Sequence, residues 1–93
     1  MRIVYCGFGR AALECFYQMI GNYDVKLTDI LVFTHDTYEN EEFIKHLKAN
    51  NIKLAFDNIN DCLDLIREFC PDYLLSVYYR YIVSIDILNI VNH

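Results

Sequence analysis

Four consecutive residues, Tyr78-Tyr79-Arg80-Tyr81, carry the side chains best suited to holding a ligand. An arginine set among aromatic rings suits an anionic or planar heteroaromatic group, through stacking and forked hydrogen bonds. Being consecutive, the four cannot all point into a core. Ile82 follows them as an apolar neighbour. The competing reading is a tyrosine-rich turn packed beneath a neighbouring domain. A second constellation, Gly7-x-Gly9-x-x-Ala12, fits a relaxed dinucleotide turn, in which glycines allow a tight bend and phosphate approaches a helix N-terminus. Asp36 stands roughly where a ribose-binding acid would. Glycines required for geometry alone are the alternative. Gly7, Gly9 and His35 are the candidates for substrate contact. His35 closes a predicted strand and titrates near neutrality; a loop histidine that hydrogen-bonds its neighbours is the plainer reading.

Other polar residues point to less. His46 falls among lysines on an amphipathic stretch and reads as solvated. Asp86 and Asn89 read as the exposed face of a last helix. Asn92-His93 closes the sequence and carries no catalytic signature of its own. Cys6, Cys15, Cys62 and Cys70 form no C-x-x-C pair and have no histidine in ligand spacing. They are expected to be four buried thiols acting as small hydrophobes, and no metal site is expected.

The elements that must position these residues follow from periodicity. Residues 2–6 are β-rich and run into the glycine turn. Ala12, Leu13, Phe16, Met19 and Ile20 then recur at helical spacing, with Gly21-Asn22 as the stop, the glycine taking the left-handed position. Ile30–Phe33 is apolar without alternation, as in a strand covered on both faces. Asn40 is a predicted N-cap before Glu41 and Glu42, and Phe43, Ile44 and Leu47 form the next buried stripe. Residues 52–56 alternate and predict a short edge strand. Cys62, Leu63, Leu65, Ile66 and Phe69 line a third helix ended by Pro71. Tyr73–Val77 is the fourth strand, and Ser84 caps a short helix carrying Ile85, Ile87, Leu88 and Ile90. The sum is an α/β chain, βαβαβαβ plus a short helix, with a three-layer, Rossmann-like parallel sheet in order 3-2-1-4. Strands 1 and 4 then lie side by side at the switch point. The loops 7–10 and 78–82 face each other across one crevice, which marks the binding site.

Ninety-three residues suit one domain, residues 1–93. The formal charge of −5 and the scattering of its eight basic residues argue against nucleic acid as a partner. No apolar run approaches the roughly 18 residues of a membrane span, and the N-terminus lacks a signal-peptide pattern, so no membrane partner is expected and a cytoplasmic location is.

At Leu75-Ser76-Val77-Tyr78-Tyr79-Arg80-Tyr81-Ile82 the chain resembles the formyltetrahydrofolate-dependent formyltransferases. It is most similar to the branch that N-formylates nucleotide-linked amino sugars, including the formyltransferase domain of the aminoarabinose lipid A pathway. Val32-Phe33-Thr34-His35, Pro71-Asp72, Ile87-Leu88-Asn89-Ile90 and the opening strand with Gly7 extend the likeness along the chain. The resemblance implies the N-terminal part of a catalytic domain in lipopolysaccharide or O-antigen synthesis. It implies N10-formyltetrahydrofolate as cofactor and a nucleotide-linked amino sugar as substrate. Tyr78, Tyr79, Arg80 and Ile82 would border the pterin, with Ile82 as apolar support and Tyr79 and Arg80 shaping the pocket. The family's catalytic Asn-x-His-x-Ser-Leu-Leu-Pro would begin a few residues past the point matching His93. Asn92 and His93 are adjacent rather than spaced by one. The expectation is therefore a truncated formyltransferase with part of the pterin pocket and no catalytic residue. It could pair with itself through the face beside strand four. A small dinucleotide-binding module and an inactive fragment are the alternative readings.

Overall fold

A computed structural model describes residues 1–91. Four strands, β1 (Ile3–Gly7), β2 (Ile30–Phe33), β3 (Lys53–Ala55) and β4 (Tyr73–Val77), form one parallel sheet in the order β3-β2-β1-β4. The connections are α1 (Gly9–Asn22), α2 (Glu41–Ala49) and α3 (Leu63–Phe69), and α4 (Ile85–Leu88) follows β4. The α/β class and strand order are those the sequence predicts.

β1 is the axis of the sheet. All five of its residues are buried, and it pairs with β2 from Ile3↔Ile30 and with β4 from Ile3↔Tyr73 to Gly7↔Val77. Because strand side chains alternate, the sheet sorts its residues into two cores. Ile3, Tyr5, Ile30 and Val32 pack with Ala12, Phe16, Phe43 and Leu47 beneath α1 and α2. Val4, Cys6, Leu31 and Phe33 pack with Ile59, Ile66 and Ile87 on the opposite face. Tyr5 and Phe16 meet edge-to-face at 5.2 Å, and the Tyr5 hydroxyl donates to the Ala12 carbonyl at 2.6 Å. Burial raises the pKa of that phenol, with Cys15 adding to the shift. β4 is an edge strand with Tyr73 and Leu75 exposed.

Several local expectations are corrected. Gly21 lies inside α1, which runs to Asn22 and ends where Tyr23 turns extended. Asn40 makes no capping bond to α2; its side chain is used elsewhere. Only Cys6 is fully buried. Cys15 and Cys70 are exposed and Cys62 is intermediate. Cys15 follows Glu14 on the outer face of α1, and Cys70 sits past the end of α3 in the left-handed region, its thiol donating to the Arg67 carbonyl. His46 is half-buried, with its Nδ1 2.8 Å from the Tyr17 hydroxyl, rather than simply solvated. Asn92 and His93 lie outside the described residues. Among the described residues no helix is long and apolar enough to cross a membrane.

Candidate functional site at the carboxyl edge of the sheet

β1, β2 and β4 end together at one edge, and the segments leaving them are joined by polar contacts. The Phe8 N–H donates to the Val77 carbonyl at 3.1 Å, continuing the β1–β4 pairing into the glycine turn. Gly7 is needed there for packing, since a Cβ would stand 2.7 Å from the Ala12 Cβ and 2.8 Å from the Tyr5 ring. Gly9 is needed for conformation, at φ +78°.

Asn40 ties this turn to β2. Although it comes 31 positions after Gly9, its Oδ1 accepts the Gly9 N–H at 2.7 Å. Its Nδ2 donates to the Thr34 hydroxyl and, at 2.8 Å, to the His35 carbonyl. Thr34 in turn donates to the Gly7 carbonyl at 2.6 Å. Thr34 and Asn40 are buried, so their bonds to each other, to the Gly7 carbonyl and to the His35 carbonyl are made away from water, and the bond to Gly9 is partly buried. One consequence is chemical: the first amide of α1, which a phosphate would use, already has a partner.

The 78–82 loop packs against this turn and the end of β2, held through Tyr79, Arg80 and Ile82. Tyr78 enters it at φ 57°, a left-handed conformation unusual for a bulky residue. The Tyr79 ring stacks on His35 at 4.9 Å and 20°, and its hydroxyl accepts the Ile59 N–H at 3.2 Å. The Arg80 N–H donates to His35 Nε2 at 3.1 Å, and its guanidinium carbon lies 4.3 Å from the centre of the Phe8 ring. The Ile82 carbonyl accepts from Asn60 Nδ2, and Asn60 Oδ1 accepts the Ser84 N–H, both at 2.8 Å. What the loop leaves outward is distinct. Among the described residues no hydrogen bond reaches the Arg80 carbonyl, either backbone group of Tyr81, or the Ile82 N–H. Ile82 is 92% exposed and Tyr78 75%.

The sequence candidates thus divide. Tyr78 and Ile82 are open to a ligand. Tyr79 and Arg80 build the loop's frame: burial pushes the Tyr79 phenol up to about 12, and the Arg80 guanidinium covers Phe8. His35 is 7% exposed and turns its ring toward the loop, against Phe8, Tyr79 and Tyr81. Its pKa is held below the usual histidine value by burial and then by the Arg80 charge. Asp36 is exposed just beyond it. Sequence reading missed Phe8, Thr34, Asn40 and Asn60. Asn40 had a visible signal, a small amide between a strand and a helix, but that signal is shared with ordinary caps. No family model and no curated protein matches the chain.

Proposed function

We propose that the chain is the folate-binding part of a sugar N-formyltransferase. In this reading the 78–82 loop forms one wall of the pocket for the pterin of N10-formyltetrahydrofolate, and the chain supplies no catalytic group. The observation that carries it is the outward face of the loop. Among the described residues the Arg80 carbonyl, both backbone groups of Tyr81 and the Ile82 N–H have no hydrogen-bond partner, and they stand beside an exposed Ile82 side chain at the carboxyl edge. A pterin has a rim of alternating donors and acceptors and two apolar faces. Backbone groups can pair with the rim while an aliphatic side chain covers a face. The Leu75–Ile82 resemblance points to the same ligand. The acceptor would be a nucleotide-linked amino sugar. In the complete reaction its amine would attack the formyl carbon, the formyl–N10 bond would break, and the proton lost by the amine would pass to N10 as tetrahydrofolate leaves.

Calorimetric titration with 5-formyltetrahydrofolate, a stable relative of the cofactor, tests the reading. Binding at pH 7.5 that weakens about tenfold or more in Ile82→Asp is expected, because the substitution takes an aliphatic surface from the pterin face and puts a charge there. Mixing the chain with N10-formyltetrahydrofolate and a nucleotide-linked amino sugar should yield no formamide. Absence of folate binding, or turnover by the purified chain, defeats the proposal. The dinucleotide reading has less support, because Asn40 occupies the Gly9 amide. NAD binding that disappears in Gly9→Val would revive it.

A further inference from the structure

His35 is set apart by what it binds. An amide N–H can only donate, so the Arg80 contact requires a lone pair on His35 Nε2 and places the neutral ring's proton on Nδ1. This 3.1 Å bond spans 45 positions and fixes the middle of the loop whose outward groups form the candidate pocket. The Tyr79 ring stacked on the imidazole, and Phe8 and Tyr81 edge-on to it, hold it in line with that amide.

We infer that His35 is a positioning residue: as a neutral acceptor it latches the 78–82 loop in its binding shape, and protonation of the ring unlatches it. This rests on the folate reading for the ligand, though the latch itself is a property of the loop. A proton on Nε2 removes the lone pair, sets N–H against N–H, and adds a cation beside the Arg80 guanidinium. The surroundings offer little compensation. The loop contributes the Arg80 cation and the rings of Tyr79 and Tyr81, and the glycine turn contributes only Phe8. On the segment after β2, Asp36 and Glu39 are both exposed. The Glu39 carboxyl is held low by its own backbone N–H first, then by Thr37, and more weakly by Arg80. Among the described residues no carboxylate hydrogen-bonds the His35 ring.

Three proteins separate the latch from a merely structural histidine. His35→Gln keeps an acceptor at the same reach and cannot titrate; His35→Phe keeps the ring and removes the acceptor. The readouts are the Arg80 amide resonance and 5-formyltetrahydrofolate affinity at pH 7.5 and 5.5, above the sequence pI of about 4.9. The wild type should show the Arg80 resonance moving with acidification and affinity falling about three- to tenfold, the worth of one hydrogen bond. His35→Gln should bind within about twofold of wild type at pH 7.5 and show no pH dependence. His35→Phe should bind weakly at both pH values, with Arg80 shifted throughout. An Arg80 resonance indifferent to pH, equal pH dependence in wild type and His35→Gln, or full affinity in His35→Phe overturns the latch. Failure of the wild type to bind folate at pH 7.5, with Arg80 still tracking His35, overturns the folate reading and upholds the latch.

Discussion

At the scale of single residues, Asn40 separates two accounts of the same amide. As an ordinary helix cap it would contribute about 1 kcal/mol. In the structure it instead makes three contacts, buried ones to the Thr34 hydroxyl and the His35 carbonyl and a partly buried one to the Gly9 N–H. Removing it leaves a partly buried donor and two buried acceptors to find new partners. Asn40→Ala should therefore cost about 3 kcal/mol in urea unfolding. Asn40→Asp should also be less stable, since a carboxylate cannot donate to the His35 carbonyl. A cost of about 1 kcal/mol or less in Asn40→Ala would mean that the buried knot contributes little. None of this is legible locally, because nothing in the sequence around Asn40 names a partner 31 positions earlier. Gly7 and Gly9 show the opposite case. Their need for glycine was visible, but whether a ligand or the chain itself imposes it was not. The close approach of Ala12 and Tyr5, and the positive φ of Gly9, supply a reason internal to the fold.

At the scale of elements, strand type and order were readable because burial on both faces leaves an unmistakable run such as Ile30–Phe33, and buried helices leave stripes such as Ala12, Phe16 and Met19. Ends were less readable. Gly21 looked like a stop, yet a helix carries an exposed interior glycine for about 1 kcal/mol, a cost the packing of Met19 and Ile20 outweighs. The Ser84 cap was predicted and is present, its hydroxyl oxygen accepting the Ile87 N–H at 3.4 Å. The structure adds that Asn60, in the turn before α3, grips both ends of the segment between the loop and α4. This ranks two substitutions. Ser84→Ala should cost about 1 kcal/mol, since it removes one cap from a four-residue helix. Asn60→Ala should cost about 2 kcal/mol, because it releases the Ser84 N–H and the Ile82 carbonyl together. It should also weaken folate binding, which Ser84→Ala leaves unchanged. Equal effects on both measurements would show that Asn60 does not shape the loop.

At the scale of the whole molecule, the described chain has a radius of gyration of 12.2 Å, matching the roughly 12.3 Å of a compact globule of this length. The two cores lie on opposite faces of the sheet, so β1, which like β2 is paired on both sides, should be among the last elements to open. Cys6 reports on it. Its side chain is fully buried, and burial raises its thiol from 9.0 to about 12. Cys15 and Cys70 are exposed, so the expectation of four sequestered thiols becomes a built-in comparison. With an aromatic disulfide reagent at pH 8, Cys15 and Cys70 should react quickly, and Cys6 only when the sheet opens. Added urea should speed Cys6 labelling with a slope matching equilibrium unfolding, while Cys15 barely responds. The raised thiol also sets a sign. A group protonated more firmly in the folded state stabilises fully below its unfolded pKa and loses that contribution as pH rises through the folded one. Stability should therefore fall from about pH 9 toward 12 through Cys6, with Tyr79 adding its share from about pH 10. Cys6→Ser should remove the Cys6 share of that alkaline limb. Cys6 labelling as fast as that of Cys15, in protein whose circular dichroism is unchanged, would mean that the strand pairing of β1 opens locally and the two cores do not unfold together.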